Sequence, residues 1–194
     1  NSGIARSETF YIDKNIKIIG GYSNDFLTRD IGLYPTILNG DIGTPGIKTD
    51  NAFHVVFVNN NYAPNALLKG FTIKNGYANG TNENRYGGGI YYGNLEECIL
   101  DSNFASYYGG GSYYSNMINC SIMHNIAENY GGGSYNGNHN HCDFVGNTGY
   151  YGGGLYEGNA HYCQFIENSS DYVGGGSYNS TLYNCLHRDN SANY

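Results

Sequence analysis

The stretch NYGGGSYN at residues 129–136 places three consecutive glycines between tyrosines. Glycine is unfavourable inside helices and strands, because its backbone loses more freedom on folding than that of other residues. The triplet nevertheless occurs five times, with steps of 22, 22, 21 and 22 residues. Its first residues are Gly87, Gly109, Gly131, Gly152 and Gly174. A period of this length indicates a repeat architecture in which every repeat needs the same turn.

Three further columns of identical residues keep the same step. The cysteines are Cys98, Cys120, Cys142, Cys163 and Cys185. An asparagine follows each cysteine by five residues, at Asn103, Asn125, Asn147, Asn168 and Asn190. The tyrosines of the GGGxY motif are Tyr91, Tyr113, Tyr135, Tyr156 and Tyr178.

The cysteine segments have the alternating pattern of strands with one buried face. Cys142 and Phe144 are separated by one residue, as are Cys163 and Phe165, whereas His187 interrupts this pattern in the last copy. No stretch keeps a helical period. The sequence therefore predicts an all-β parallel β-helix, or solenoid, of about 22 residues per coil. Residues one coil apart then stack about 4.8 Å apart, so each column becomes a ladder along the axis.

The ladders explain the choice of residues. Glycine removes the Cβ atoms that a repeated turn would crowd together, and it also permits positive φ. We expect the asparagines to lie at a turn, to adopt the left-handed conformation, and to hydrogen-bond from coil to coil. We expect the cysteines to lie inside the core.

The first half of the chain lacks the clean period but contains strand-like segments. They are residues 8–12, 16–22, 35–41, 53–58 and 67–73. Phe71 falls in the cysteine column and Ile73 in the Phe144 column, so the solenoid already runs there. Residues 41–52 and 76–86 are expected to form loops. We predict a single β-helix domain over 1–194, with irregular opening coils at 1–86 and regular GGGxY repeats at 87–194.

Composition restricts the classes of partner. The net charge is −7 and the chain has only nine Lys and Arg residues, which argues against nucleic acid or an anionic membrane surface. No apolar run reaches the roughly 20 residues of a membrane span. The chain starts at Asn1 without a signal peptide, so we expect a processed product or an excised segment.

Several motifs together resemble a known family. KIIGGYSND at 17–25, PTILNGDIG at 35–43, LLKGFTIKNGYA at 67–78 and GGGIYY at 87–92 resemble bacterial surface proteins of the pectin-lyase-like superfamily. The GGGIY-type repeat is shared with polymorphic outer-membrane proteins. The resemblance implies a right-handed parallel β-helix that is secreted or displayed on the cell surface. The superfamily contains adhesive proteins as well as polysaccharide lyases and hydrolases, and fold alone does not choose between them.

The five cysteines are expected to be buried free thiols that pack as small hydrophobic side chains. Their number is odd, and no spacing typical of a zinc site occurs. Neighbours on parallel strands lie within the Cα range of a disulfide, but their parallel Cβ vectors suit a bridge poorly.

The tyrosines are the candidate binding surface. The GGGxY tyrosines alternate with Ile90, Ser112, Ser134, Leu155 and Ser177, and the sequence does not show which of the two columns points inward. Further tyrosines precede the triplets, at Tyr86, Tyr107, Tyr108, Tyr130, Tyr150, Tyr151 and Tyr172. An exposed row would bind sugars or another protein, whereas a packed row would stabilise the solenoid.

Catalytic residues are not evident. Acidic residues are scattered over different columns, namely Asp101, Glu128, Asp143, Glu167, Asp171 and Asp189. Glu167 and Asp189 share one column, which makes them a possible cation or acid–base pair. His139 and His141 form an i,i+2 pair that we interpret as exposed turn residues. We therefore expect no enzyme, no metal and no cofactor.

The last copy ends at Tyr194, one residue before the next triplet would begin. An uncapped coil exposes unpaired strand edges. We expect either a piece of a longer repeat protein or head-to-tail association of copies into a filament.

The sequence favours a non-catalytic extracellular or cell-surface protein, structural or adhesive, with a glycan or a host or cell-surface ligand. The alternative is a carbohydrate-active enzyme of the same fold, a polysaccharide lyase or a glycoside hydrolase.

Overall fold

The computed structural model describes residues 5–194 and is built from stacked parallel strands. Three sheets of twelve, seven and six strands run along the axis. Every pair of neighbouring strands is parallel and joins one coil to the next. The fold is thus a parallel β-helix, and the three all-parallel sheets agree with the right-handed form that the family resemblance implies.

The strands follow one another coil by coil. The opening coils contain β1 (Phe10–Ile12), β2 (Lys17–Ile19), β3 (Thr36–Asn39), β4 (Val56–Val58), β5 (Leu67–Lys69), β6 (Phe71–Lys74) and β7 (Tyr77–Ala78). The next two coils contain β8 (Ile90–Glu96), β9 (Ile99–Asp101), β10 (Phe104–Ala105), β11 (Ser112–Ile118), β12 (Ser121–Met123) and β13 (Ile126–Tyr130). Two more contain β14 (Ser134–Tyr135), β15 (Asn138–Asn140), β16 (Asp143–Val145), β17 (Thr148–Tyr151), β18 (Leu155–Tyr156), β19 (Asn159–His161), β20 (Gln164–Ile166) and β21 (Ser169–Val173). The last contains β22 (Ser177–Tyr178), β23 (Thr181–Tyr183), β24 (Leu186–Arg188) and β25 (Ser191–Ala192).

The register of the seven-stranded sheet confirms the columns read from the sequence. Ile73 pairs with Leu100, Leu100 with Ile122, and Ile122 with Phe144. These side chains are fully buried. His187 pairs with Phe165 and continues the same column into the last coil, stacked on the Phe165 ring at 4.7 Å. The core is therefore a set of axial stacks.

The one repeat that is 21 rather than 22 residues long, from Gly131 to Gly152, is accommodated by a local shift in strand register. Ala127 pairs with Gly149, 22 residues on, whereas Tyr130 pairs with Tyr151, 21 residues on. The register therefore shifts within β13 and β17, directly before the glycine turn. The compensating shift follows between β17 and β21. The glycine turns of successive repeats therefore remain aligned with one another along the axis.

The three glycines of each turn have different roles. The first, as at Gly131 with a φ of 66°, adopts the left-handed conformation. A Cβ on the second, Gly132, would collide with the Thr148 carbonyl and lie 2.5 Å from Gly153 O. A Cβ on the third, Gly133, would lie 2.6 Å from Gly154 O. The chain turns here with its backbones packed directly on one another, so no side chain fits.

Left-handed residues other than glycine mark further corners of each coil. One corner column comprises Tyr92, Tyr114, Asn136, Glu157 and Asn179. A second comprises Glu97, Asn119, His141, Tyr162 and Asn184. A third comprises Ser102, His124, Gly146, Glu167 and Asp189. The prediction that the column Asn103 to Asn190 adopts this conformation is therefore wrong, because the residue before each asparagine makes the bend.

The opening coils are irregular, as the sequence predicts. Residues 41–52 form a loop with a short 3₁₀ helix at Lys48–Asp50. The stretch 76–86 is not entirely loop, because β7 joins the six-stranded sheet before a second 3₁₀ helix at Asn82–Arg85. Phe104 of β10 pairs with Tyr77 of β7, which explains why this part is strand. No helix among residues 5–194 is long and apolar enough to cross a membrane.

Candidate binding face

The twelve-stranded sheet decides the orientation that the sequence left open. Ile90, Ser112, Ser134 and Leu155 are completely buried. Because neighbouring residues of a strand point to opposite faces, the GGGxY tyrosines point outward. The two buried serines are accommodated in the interior because Ser112 Oγ donates a hydrogen bond to Ser134 Oγ at 2.8 Å. The tyrosine column is therefore a surface feature.

The outward tyrosines form one continuous stack, the aromatic ladder. Its rings are Tyr11, Phe57, Tyr91, Tyr113, Tyr135, Tyr156 and Tyr178, which occupy successive coils. Neighbouring ring centroids are 4.8 to 5.8 Å apart, and the interplanar angles do not exceed 30°. Most of these rings are half-buried by one another, and Tyr178 is 40% exposed. The ladder thus both stabilises the coil stack and presents ring edges to solvent.

A second column of tyrosines lies across the glycine turn from the ladder. It comprises Tyr86, Tyr108, Tyr130 and Tyr151, with centroids 5.0 to 5.4 Å apart. Tyr108 also contacts Tyr135 of the ladder at 4.3 Å. The Cβ-free turn brings the two columns together. Tyr107, Tyr150 and Tyr172 flank the second column, and Tyr150 stacks on Tyr172 at 5.6 Å. Together these rings form the tyrosine face.

An outer asparagine ladder runs beside the aromatic ladder and was missed in the sequence. It comprises Asn94, Asn116, Asn138 and Asn159. Each side-chain amide donates to the previous Oδ1, at 3.1 Å from Asn116 to Asn94 and 3.0 Å from Asn138 to Asn116. The spacings of 22, 22 and 21 residues were available in the sequence, but many other asparagines surround them.

A shallow groove of about 250 Å³ lies at the corner column that contains Tyr92 and Tyr114, beside the outer asparagine ladder. Tyr92 and Tyr114 line one wall, and Asn94, Asn116 and Asn138 line the other. The corner residues reach the groove because their left-handed backbone turns the chain there. The groove therefore offers the rings of Tyr92 and Tyr114 in two successive coils, followed by Asn136 at the next corner, together with the side-chain amides of the outer asparagine ladder.

The face is uncharged except for carboxylates. Burial raises the pKa of Tyr108 to about 12. Burial, followed by the hydrogen bond to Glu157, raises the pKa of Tyr135. These phenols thus remain protonated at neutral pH. Residues 86–187 contain eight Asp and Glu but no Lys or Arg. Within residues 86–187 the only side chain that can become cationic is therefore histidine.

The cysteines lie in the core and are free thiols. Cys98, Cys120, Cys142 and Cys163 are at most 2% exposed, whereas Cys185 in the last coil is half-buried. The Cys98 N–H points to Cys120 Sγ at 3.4 Å, and the Cys142 N–H to Cys163 Sγ at the same distance. Hydrogen bonding to Cys142 and burial both raise the pKa of Cys163, which disfavours the reactive thiolate.

The Asn103 column forms an inner ladder of buried amides. Asn147 Nδ2 donates to Ile122 O at 2.8 Å and to Asn168 Oδ1 at 2.9 Å. Its Oδ1 accepts from the backbone and side chain of Asn125 at 3.0 and 3.1 Å. Asn103, Asn125 and Asn168 repeat this pattern, and Asn190 continues it. The ladder therefore satisfies backbone groups that the sharp corner leaves without partners.

The interpretation of His139 as an exposed turn residue is wrong. His139 lies in β15, in a column with Met117 and Ala160, and is 1% exposed. Its Nε2 lies 3.3 Å from Ser134 Oγ, and its Nδ1 has no partner. Burial lowers the pKa of His139 to about 4, so the ring is neutral at physiological pH. His141 is the exposed corner residue of the pair and stacks on Tyr162.

The carboxylates do not gather into a metal site. No group of three or more His, Cys, Asp or Glu side chains within residues 5–194 could hold a metal ion. Glu167 and Asp189 lie at successive corners, and Asp189 is 3.5 Å from Arg188. Asp101 contacts the exposed His124 at 3.1 Å. Asp143, Glu128 and Asp171 lie in separate strands of the regular repeats.

Two carboxylates and two cations converge at one corner of the opening coils. Lys69 Nζ contacts Glu96 at 2.5 Å and Glu97 at 3.0 Å, and Arg29 Nη1 contacts Glu97 at 2.8 Å. Hydrogen bonds from Lys69 and Arg29 hold the pKa of Glu97 below its usual value. The four side chains neutralise one another and connect Arg29, in the segment between β2 and β3, to Lys69 of β5 and to the end of β8.

Comparison with known proteins found no matching family model, no matching curated protein and no matching solved structure. The tyrosine face and the groove are therefore interpreted from their own geometry and chemistry.

Proposed function

We propose that this chain is a non-catalytic β-solenoid of the extracellular space or cell surface, with a structural and adhesive role. Its tyrosine face and the outer asparagine ladder bind a glycan. The observation that carries the proposal is the groove lined by Tyr92, Tyr114 and the outer asparagine ladder, in which both tyrosines pack against rings of the aromatic ladder.

The two ladders suit the two kinds of surface on a sugar ring. Tyrosine rings pack against the C–H faces of a sugar and still offer a hydroxyl for hydrogen bonding. Side-chain amides both donate and accept, as sugar hydroxyls require. The lack of Lys and Arg over residues 86–187 favours a neutral glycan over an anionic one, because eight carboxylates would repel the latter.

Membership of the pectin-lyase-like superfamily is part of this proposal. The GGGIYY motif and the stacked parallel sheets support it. Because that fold carries both adhesive proteins and enzymes, the functional argument rests on the groove.

The alternative is a polysaccharide lyase or glycoside hydrolase of the same fold. The cluster of Arg29, Lys69, Glu96 and Glu97 is the observation that favours it, since such enzymes need cationic and carboxylate groups close together. In the resting structure these groups are engaged with one another rather than directed at an open groove. We therefore rank the enzyme second.

The test is retention of the chain on immobilised neutral polysaccharides and on polyuronates. We expect retention on a neutral polysaccharide, loss of retention with Tyr114→Ala, and normal retention with the matched control Tyr162→Ala at another exposed corner. Retention on polyuronates alone, or equal retention of both variants, would contradict the proposed face. Release of reducing or unsaturated ends that disappears with Glu97→Gln would establish the enzyme instead.

Association of copies end to end stays a prediction. The last coil exposes Tyr183 and Leu186 at 54% and 51%, and its strands have a neighbour on one side. Electron microscopy of the purified 194-residue chain decides the question. Long uniform fibres would support association, and monodisperse rods one chain long would reject it.

A further inference from the structure

We propose that Tyr135 is a site of oxidative modification, where its ring couples to Tyr113 or Tyr156 on a neighbouring coil to form a dityrosine bridge along the axis. The reaction needs two phenols held together, a proton acceptor and a one-electron oxidant. The structure supplies the first two, and a haem peroxidase with hydrogen peroxide is the class of oxidant that supplies the third.

Tyr135 has a stacked tyrosine on each side. Its ring centroid lies 5.5 Å from that of Tyr113, at 16°, and 5.5 Å from that of Tyr156, at 12°. The stack thus holds neighbouring phenols one ring spacing apart. Two radicals formed on them react as an intramolecular pair once rotation of a side chain out of the stack brings two Cε atoms together.

Tyr135 also has a proton acceptor in place. Its hydroxyl donates to Glu157 Oε2 at 3.0 Å, and Asn179 Nδ2 lies 3.3 Å from the other carboxylate oxygen. Loss of an electron makes a phenol strongly acidic, so a carboxylate already hydrogen-bonded to the hydroxyl favours oxidation at this ring. The exposed Tyr178 continues the stack at 5.8 Å from Tyr156 and gives oxidising equivalents an entry point from solvent.

The chain offers few competing oxidisable groups. It contains no tryptophan. Four of the five cysteines and Met117 are buried in the core, where an external oxidant does not reach them. Met123 and Cys185 are partly exposed and are the sulfur-containing groups that compete with the phenols of the regular repeats.

The reaction balances as follows. Each of two phenols loses one electron to the peroxidase and one proton, and the proton of Tyr135 passes to Glu157. The two phenoxyl radicals join through a Cε–Cε bond. The two Cε hydrogens are then released as protons while both phenolic hydroxyls are restored. Two electrons and two protons in total reduce one hydrogen peroxide to two waters.

The test treats the dilute 194-residue chain with a haem peroxidase and hydrogen peroxide, isolates the monomer, and maps dityrosine by fluorescence and peptide mass spectrometry. We expect cross-linked peptides that join Tyr135 to Tyr113 or Tyr156. Tyr135→Phe keeps the ring stack but should lower the dityrosine yield of the monomer several-fold. Glu157→Gln should lower the share of cross-links at Tyr135 while the protein still folds, as circular dichroism would show.

The matched control is Tyr62→Phe, which removes a phenol that is 70% exposed in a loop of the opening coils. This variant should leave the yield unchanged. Cross-links confined to exposed tyrosines such as Tyr62 and Tyr162 would overturn the proposal. So would an unchanged map in Tyr135→Phe, or no dityrosine in the monomer under conditions where added free tyrosine is coupled.

Discussion

The opening coils and the regular repeats build the same solenoid from different chemistry. The opening core is aliphatic, with Val56, Val58, Leu68 and Ile73 fully buried. The regular core also contains thiols, hydroxyls and amides, arranged in ladders that hydrogen-bond between coils. Eight of the nine Lys and Arg residues precede residue 86.

The difference shows how a repeat can hold polar groups inside. An isolated buried amide is unfavourable, but a column of them satisfies each member from the next. The opening coils vary in length and use single contacts instead. Arg6, for example, donates to Asn51 O and Tyr77 O and packs its guanidinium over Phe53 at 4.1 Å. In the regular repeats, much of the stability therefore comes from the columns of identical residues. Single substitutions in these columns should lower the free energy of unfolding most.

The largest effect is expected for the glycine turn. Gly132→Ala places a Cβ against the Thr148 and Gly153 carbonyls, which are backbone atoms of neighbouring turns and have little room to move. We expect a loss of more than about 3 kcal/mol in the free energy of unfolding, measured by denaturant titration. The control is Gly46→Ala, where φ is 82° but no atom lies within 4 Å, with an expected loss of about 1 kcal/mol. Equal losses would contradict the steric role of the turn.

The inner asparagine ladder should be next. Asn147→Ala removes the side-chain partner of Ile122 O and of the Asn125 backbone N–H. It also removes one of the two donors to Asn168 Oδ1 and one of the two acceptors of the Asn125 side-chain amide. We expect a loss of about 3 kcal/mol, since each buried polar group left unpaired costs 1–3 kcal/mol. Asn59→Ala in the opening coils removes two exposed hydrogen bonds, one donated to Tyr11 and one accepted from the Asn61 N–H. It should cost less than about 1 kcal/mol, because water replaces both partners. If Asn147→Ala lowered the free energy of unfolding no more than Asn59→Ala does, the amides of the inner ladder would not be coupled.

The pH dependence of stability should come partly from His139. The ring is neutral in the fold, with a pKa near 4, whereas the unfolded chain binds a proton near pH 6.5. Its contribution is therefore complete above pH 6.5 and is lost as the pH falls towards 4, by about 3 kcal/mol in total. His139→Met, which copies Met117 of the neighbouring coil, should flatten this part of the profile in denaturant titrations between pH 4 and 7. If the unsubstituted protein and His139→Met lost the same stability between pH 7 and pH 4, the pH dependence could not be assigned to His139.

The smallest effect is expected at the corners. Glu167 has a φ of 54°, and Gly146 occupies the same corner one coil earlier. Glu167→Gly should stabilise the chain by up to about 1 kcal/mol, because relief of left-handed strain exceeds the added entropy of the unfolded chain. Thermal unfolding measures this difference. Destabilisation would indicate that the Glu167 side chain makes a contact that outweighs the strain.

The sequence predicts the ladders because identical residues mark them. The placement of Ile73 in the column of Leu100 and Phe144 follows from the match of FTIKNG at 71–76 to CDFVGN at 142–147, and it is confirmed. The orientation of Tyr113 against Ser112 could not be predicted, because the inward column is partly polar and is satisfied only across coils. The corners were missed because residues as different as Glu97, His141 and Tyr162 adopt the same left-handed conformation. His139 was misjudged because its neighbours in GNHNHC are polar, whereas strand alternation directs this one side chain inward.

The central claim is that residues one coil apart stack along the axis. Nuclear Overhauser contacts in the isotope-labelled protein test it directly at the inner asparagine ladder, where Asn103, Asn125, Asn147 and Asn168 are joined amide to amide. The account predicts a contact from the backbone amide of each Asn to the side-chain amide of the Asn one coil later, in an unbroken series. Contacts only to residues near in sequence, with none between asparagines 21 or 22 residues apart, would contradict it.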